Sequence, residues 1–130
     1  MILLDTHVLV WLVLDPVRLS SKATLAIRDA RKGGDGLGIS GITLYEIAIL
    51  AGKERIEIRT SLERFLQQVE DHFIVRPITG KVCLETQRLP KSYPADPMDR
   101  IIGATAIAEG MPLITADKQI RESKAVVTIW

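Results

Sequence analysis

The sequence predicts an α/β domain in which a parallel sheet is covered by helices. Three observations carry that prediction. Short apolar runs, Ile2-Leu3-Leu4, Leu37-Gly38-Ile39, Phe73-Ile74-Val75 and Leu113-Ile114-Thr115, recur along the chain; strands buried on both faces read as continuous runs rather than alternating ones. Between them lie segments of helical length that open on capping residues. Strands alternating with helices imply a parallel sheet, because parallel neighbours need a crossover.

Taken in order, Ile2 to Leu4 is a buried strand and Thr6 to Leu14 continues apolar at helical length, closed by Asp15-Pro16. Ser20 or Ser21 caps a second helix reaching about Lys32, and Gly33-Gly34-Asp35-Gly36 is the clearest break in the chain. Leu37 to Ile39 is the second strand. Ser40 caps a third helix that stops near Gly52, and Leu62 to Val69 is a fourth. Phe73 to Val75 is the third strand, Thr79 caps a helix to Arg88, and Leu89 to Pro94 is a loop. Asp96-Pro97 opens a helix through Glu109 that Gly110 terminates. Leu113 to Thr115 and Ala125 to Thr128 supply two further strands, with a short helix containing Lys118 to Arg121 between them.

With 130 residues, 47% of them hydrophobic, the chain is the size of one domain, residues 1–130, able to bury a core without disulfides or structural metals. Cys83 is the only cysteine and nothing at the start has the basic region and long apolar stretch of a secretory signal, so a cytoplasmic protein is expected. No apolar run approaches the ~20 residues that cross a bilayer. A net charge of +1 argues against a dedicated nucleic-acid coat and leaves polyanion contacts to local patches.

Four acids stand apart in apolar surroundings: Asp5, Glu46, Asp99 and Asp117. Asp5 and Asp117 follow apolar strands, and sites in α/β sheets are built at the carboxyl ends of strands. Gathering such carboxylates without a cation is costly, since like charges oppose mutual ionisation. Each acid also has a bland reading. Asp5 and Asp117 can cap the helices that follow, Asp96 with Pro97 and Asp99 forms an orthodox helix start, and Glu46 can face solvent from an amphipathic helix. Order along the chain favours the cluster. The segments Leu4-Asp5-Thr6-His7-Val8-Leu9-Val10-Trp11, Ile39-Ser40-Gly41-Ile42-Thr43-Leu44-Tyr45-Glu46, Asp96-Pro97-Met98-Asp99-Arg100-Ile101-Ile102-Gly103-Ala104-Thr105-Ala106 and Leu113-Ile114-Thr115-Ala116-Asp117 together resemble a PIN domain of the VapC toxin type, over nearly the whole chain and in order.

The resemblance implies a three-layer α/β/α sandwich around the parallel sheet, with Asp5, Glu46, Asp99 and Asp117 as the acidic metal site and Asp96 as an accessory. Hard oxygen donors without thiolate or imidazole suit Mg²⁺ or Mn²⁺ rather than zinc. The implied activity is metal-dependent endoribonuclease cleavage leaving a 5′-phosphate and a 3′-hydroxyl, in the toxin of a toxin–antitoxin pair whose antitoxin lies across the active-site groove. A homodimer is expected, by the same resemblance. Thr6, Ser40 and Thr115 stand beside the acids as candidates to orient them or bound water, and Arg100, Lys118 and Arg121 are candidate contacts to substrate phosphates. His7 is read as structural rather than as a base. Val8, Trp11, Leu12, Leu14, Leu44, Ile47 and Leu50 are candidate apolar surface, with Trp11 the foremost partner contact. Two rival readings are a non-catalytic PIN-scaffold module that binds RNA or protein, and a Mg²⁺-dependent receiver-like phosphotransfer domain; the latter needs an aspartate after the third strand, where Arg76-Pro77 stands instead.

Overall fold

The computed structural model describes residues 1–130. Five short strands form one all-parallel sheet: β1 (Ile2–Leu4), β2 (Leu37–Ser40), β3 (Ile74–Arg76), β4 (Leu113–Ile114) and β5 (Thr128–Ile129), in the order β3-β2-β1-β4-β5. Seven helices connect them: α1 (Thr6–Leu14), α2 (Ser21–Lys32), α3 (Gly41–Gly52), α4 (Leu62–His72), α5 (Gly80–Arg88), α6 (Pro97–Glu109) and α7 (Lys118–Ser123). A 3-10 turn, Pro16–Arg18, follows α1 where proline fixes the backbone.

Adjacent residues on a strand point to opposite faces, and the core divides accordingly. Leu4, Leu37, Ile39 and Ile114 pack with Val8, Ile27, Ile47, Phe65 and Val69 beneath α1 to α4. On the other face Leu3 and Leu113 meet Leu89, Tyr93, Ile102, Ala106 and Ile120 from α5, α6, α7 and the loop before α6. Both faces are therefore covered, giving the three-layer α/β/α sandwich. Two expected strands shift. The third lies at Ile74–Arg76, because Phe73 is buried as the C-cap of α4. The fifth is Thr128–Ile129 rather than Ala125 to Thr128: Lys124 takes a left-handed turn, and ladder bonds with β4 begin only at the Val127 carbonyl, 2.8 Å from the Leu113 amide.

The chain leaves β1 toward β2 and β3 on one side and later crosses to β4 and β5 on the other. The β1–β4 boundary is thus the topological switch point, where a crevice opens at the carboxyl ends of the strands.

Candidate metal centre

Asp5 stands at that crevice, immediately after β1, and is buried, only 3% exposed. Its Oδ1 accepts the Thr6 N–H at 2.9 Å, which caps α1, and its Oδ2 accepts the Thr115 hydroxyl at 2.7 Å from the end of β4. Thr115 Oγ1 in turn accepts the Asp117 N–H at 3.1 Å, and Asp117 Oδ1 caps α7 through the Ile120 N–H at 2.9 Å. Asp96 caps α6, accepting the Met98 and Asp99 amides at 2.8 and 3.3 Å. Asp5, Asp96 and Asp117 all cap helices, and Thr115 links Asp5 to the Asp117 turn. The positive ends of α1, α6 and α7 offset part of the charge that the acids concentrate.

The acids share one electrostatic field. The Asp99 carboxyl is pushed up to about 7, first by burial and then by Asp5, Asp96, Glu46 and Asp117. Burial also raises Glu46; the neighbouring Thr6 hydroxyl counters this, and Asp5 and Asp96 raise it further. The Tyr93 phenol, buried under the same acids, is raised well beyond its ordinary value by burial and by Asp5, Asp99 and Asp117. Glu46 Oε1 is buried without a hydrogen-bond partner. A buried carboxylate oxygen left in that state costs about 1–3 kcal/mol or more, which marks a place for something other than protein.

The donor set fits a hard divalent cation: carboxylate oxygens, three hydroxyls nearby and no thiolate. No group of three or more His, Cys, Asp or Glu side chains is arranged to hold an ion directly. Mg²⁺ commonly keeps several waters and takes only one or two carboxylates, so this geometry suits binding partly through water.

The accessory residues sort by their partners. The Thr6 hydroxyl lies 3.0 Å from that of Thr43, both buried, tying α1 to α3 beside Glu46. Ser40, fully buried at the end of β2, caps α3 through the Ile42 N–H at 3.2 Å. Arg100 is a correction to the expected phosphate contact: its guanidinium donates to the Thr86 and Pro94 carbonyls at 2.9 and 3.3 Å, clamping α6 to α5 and the intervening loop. Lys118 is exposed and 3.8 Å from Glu122. Arg121 is half-buried, reaches the Ala116 carbonyl at 3.5 Å and leaves its Nε unpaired. Of the expected apolar surface, Val8 and Ile47 belong wholly to the core, while Leu12 and Leu44 are half-buried against it. Trp11, Leu14 and Leu50 line an open groove of about 830 Å³ together with Arg18, Ile56 and His7.

Tyr93 escapes the sequence reading. Its hydroxyl donates to the Asp99 carbonyl at 2.7 Å, fixing the first turn of α6 from below. Space for the ring exists because residue 103 is glycine; a Cβ there would lie 2.6 Å from Tyr93 Cζ. An aromatic residue alone in a proline-rich loop carries no periodic signal, so only the Gly103 gap hints at it.

The PIN-domain family model matches residues 2–125. The chain is 40% identical to ribonuclease VapC22 of Mycobacterium tuberculosis, over 99% of this chain and 98% of that one. Among solved structures, VapBC2 of Rickettsia felis bound to a promoter DNA fragment superposes with a TM-score of 0.73 at 18% identity, covering 98% of this chain and 97% of that one. A toxin–antitoxin complex from Klebsiella pneumoniae gives 0.67 at 24% identity, with the same coverage. The solved neighbours share the α/β/α fold described above, and the chain belongs to the PIN-domain family, in its VapC-type branch.

Proposed function

We propose that this protein is a Mg²⁺- or Mn²⁺-dependent endoribonuclease, the toxin of a toxin–antitoxin pair, with Asp5, Glu46, Asp99 and Asp117 holding the ion directly or through water. One observation carries the reading: Asp5, Glu46, Asp117 and the Asp96–Asp99 start of α6 converge at the sheet's switch point, where burial first and the other four acids second push Asp99 up to about 7. Protonation or a cation must settle such a density, and a cation is the choice that leaves a nuclease active at neutral pH.

A divalent ion bound here supplies polarisation of the phosphodiester and activation of a water nucleophile. The chain's own residues do the rest. Thr6 and Thr115 hold the Asp5 carboxylate in one orientation through both oxygens. Glu46, whose Oε1 has no protein partner, orients the attacking water or serves as a ligand. Asp96 tunes the field from the margin as the α6 cap. Arg121, half-buried beside the Ala116–Asp117 turn with only a 3.5 Å bond to the Ala116 carbonyl, and the exposed Lys118 are the basic candidates left to attract a substrate phosphate.

Its relative of 40% identity is named a ribonuclease, and the Klebsiella neighbour is a toxin–antitoxin complex. We extend both to this chain: RNA as substrate and a cognate antitoxin as partner, the antitoxin running along the groove that Trp11, Leu14 and Leu50 line. A homodimer accompanies this reading. No helix is long and apolar enough to cross a membrane. The receiver-like alternative loses its footing, because β3 is an edge strand ending in Arg76, which pairs with Glu109 at 2.6 Å.

The test is sequencing of RNA 5′ ends after expression of the wild type and of Asp5→Asn or Asp99→Asn. New 5′ ends that need Mg²⁺ or Mn²⁺ and vanish in both variants are expected. Cleavage retained by both folded variants refutes the site, and tight RNA binding without cleavage by the wild type turns the reading toward a binding module.

A further inference from the structure

We infer that His7 is a positioning residue, a strap that pins the Ala116–Asp117 turn to the start of α1 and so fixes Asp5 and Asp117 relative to one another. The inference rests on the metal-site reading above. Its first support is the Ala116 N–H, which donates to His7 Nε2 at 3.0 Å. A ring nitrogen that accepts carries no proton, so the neutral imidazole holds its hydrogen on Nδ1. Nδ1 lies 3.6 Å from Asp5 Oδ2, beyond hydrogen-bond reach but close enough for electrostatic attraction to the carboxylate.

The ring's orientation is set from outside the site. His7 meets Trp11 edge-on with centroids 4.9 Å apart; Trp11 has the Arg18 guanidinium 4.5 Å from its ring centre and Trp130 at 5.8 Å. A side chain that only filled space at the start of α1 would need no partner for Nε2.

Thr115 already ties Asp5 to β4 through its hydroxyl and takes the Asp117 amide. With that tie alone the turn carrying Asp117 can pivot about Thr115. The His7 bond falls on the next residue, Ala116, and two ties on consecutive residues remove the pivot. Partners that orient metal-binding carboxylates change affinity by ~10–100-fold when lost.

Two variants separate the parts of the strap. His7→Phe keeps a ring edge for Trp11 and drops both nitrogens; His7→Gln returns an acceptor near the Nε2 position. Free Mn²⁺ is titrated into the resting protein and followed by electron paramagnetic resonance, with amide spectra recorded for Ala116 and Asp117. We expect His7→Phe to lose the hydrogen-bonded shift of the Ala116 amide and to bind Mn²⁺ ~10-fold more weakly, with kcat on RNA lowered more than KM changes. His7→Gln should recover the Ala116 signal and most of the Mn²⁺ affinity. A His7→Phe protein that folds and binds Mn²⁺ within about twofold of wild type overturns the strap. So does a wild-type imidazole ¹⁵N spectrum showing the proton on Nε2, a result that needs no variant to fold. Wild type that binds no Mn²⁺ while keeping the Ala116 signature overturns the metal-site reading instead.

Discussion

In chelator-treated protein, replacing Asp99 with Asn raises stability at about pH 8 and leaves it nearly unchanged at about pH 4. Asp99 stands at about 7 against an ordinary 3.8, so the folded state holds a proton that the unfolded chain has already released. The sign follows: below about pH 4 the carboxyl costs nothing, between about pH 4 and pH 7 stability falls as pH rises, and above that the full penalty is in place. At about 1.4 kcal/mol per tenfold change in acidity, the unscreened ceiling is about 4 kcal/mol. The side chain is only half-buried, and solvent screening brings this to about 1–2 kcal/mol. Asparagine keeps the shape while losing the charge, and forgoes about 0.3–1 kcal/mol of attraction to the start of α6. The net gain of about 1 kcal/mol corresponds to a Tm higher by about 3–5 °C for a domain of this size. Thermal melts by circular dichroism across pH measure it directly. Equal Tm differences at both pH values, or a loss at the higher one, refute the shared field. Added Mg²⁺ should then stabilise the wild type and leave the variant behind.

Other expectations follow from particular contacts. Gly103→Ala drives a methyl group into the Tyr93 ring and should cost about 1–3 kcal/mol in urea unfolding. Thr115→Val removes the hydroxyl that holds Asp5 and receives the Asp117 amide; about 1–3 kcal/mol is lost, and RNA cleavage falls by more than the stability change explains. Gly110→Ala should cost about 1 kcal/mol with activity intact, since residue 110 caps α6 at φ +67° and lies away from the acids. Arg121→Gln should weaken RNA binding in filter assays and flatten its salt dependence, whereas Arg100→Gln should lower Tm first, because its guanidinium bonds only backbone carbonyls.

Much of the fold was legible because the strands are buried on both faces. Ile2-Leu3-Leu4 and Leu113-Ile114 announce themselves as apolar runs, and every one of the seven helices begins at or beside a residue whose side chain caps it. The fifth strand was placed too early because Val126 is as apolar as any strand residue; its burial comes from packing against Leu113's side of the sheet, which sequence does not display. Among the proposed site residues, Asp5, Asp99 and Asp117 stood out through their apolar neighbours. What stayed hidden was set by contacts distant in the chain: Arg100's two carbonyl partners, Tyr93 beneath Asp99, and the Ala116 amide on His7. A basic residue beside an acid looks alike on paper whether it faces phosphate or backbone.

The hydrogen bond from Thr115 to Asp5 joins residues 110 positions apart. During synthesis, β1, α1 and even α6 can emerge and collapse while the crevice still lacks one wall, because β4 must slot in beside β1 before Asp5 and Asp117 meet. Such a closure is among the slowest steps of folding and comes last on the ribosome. If the proposed nuclease activity holds, that order delays the hazard: the site stays incomplete until β4 has been made and has paired with β1, which gives a partner already present time to meet the chain.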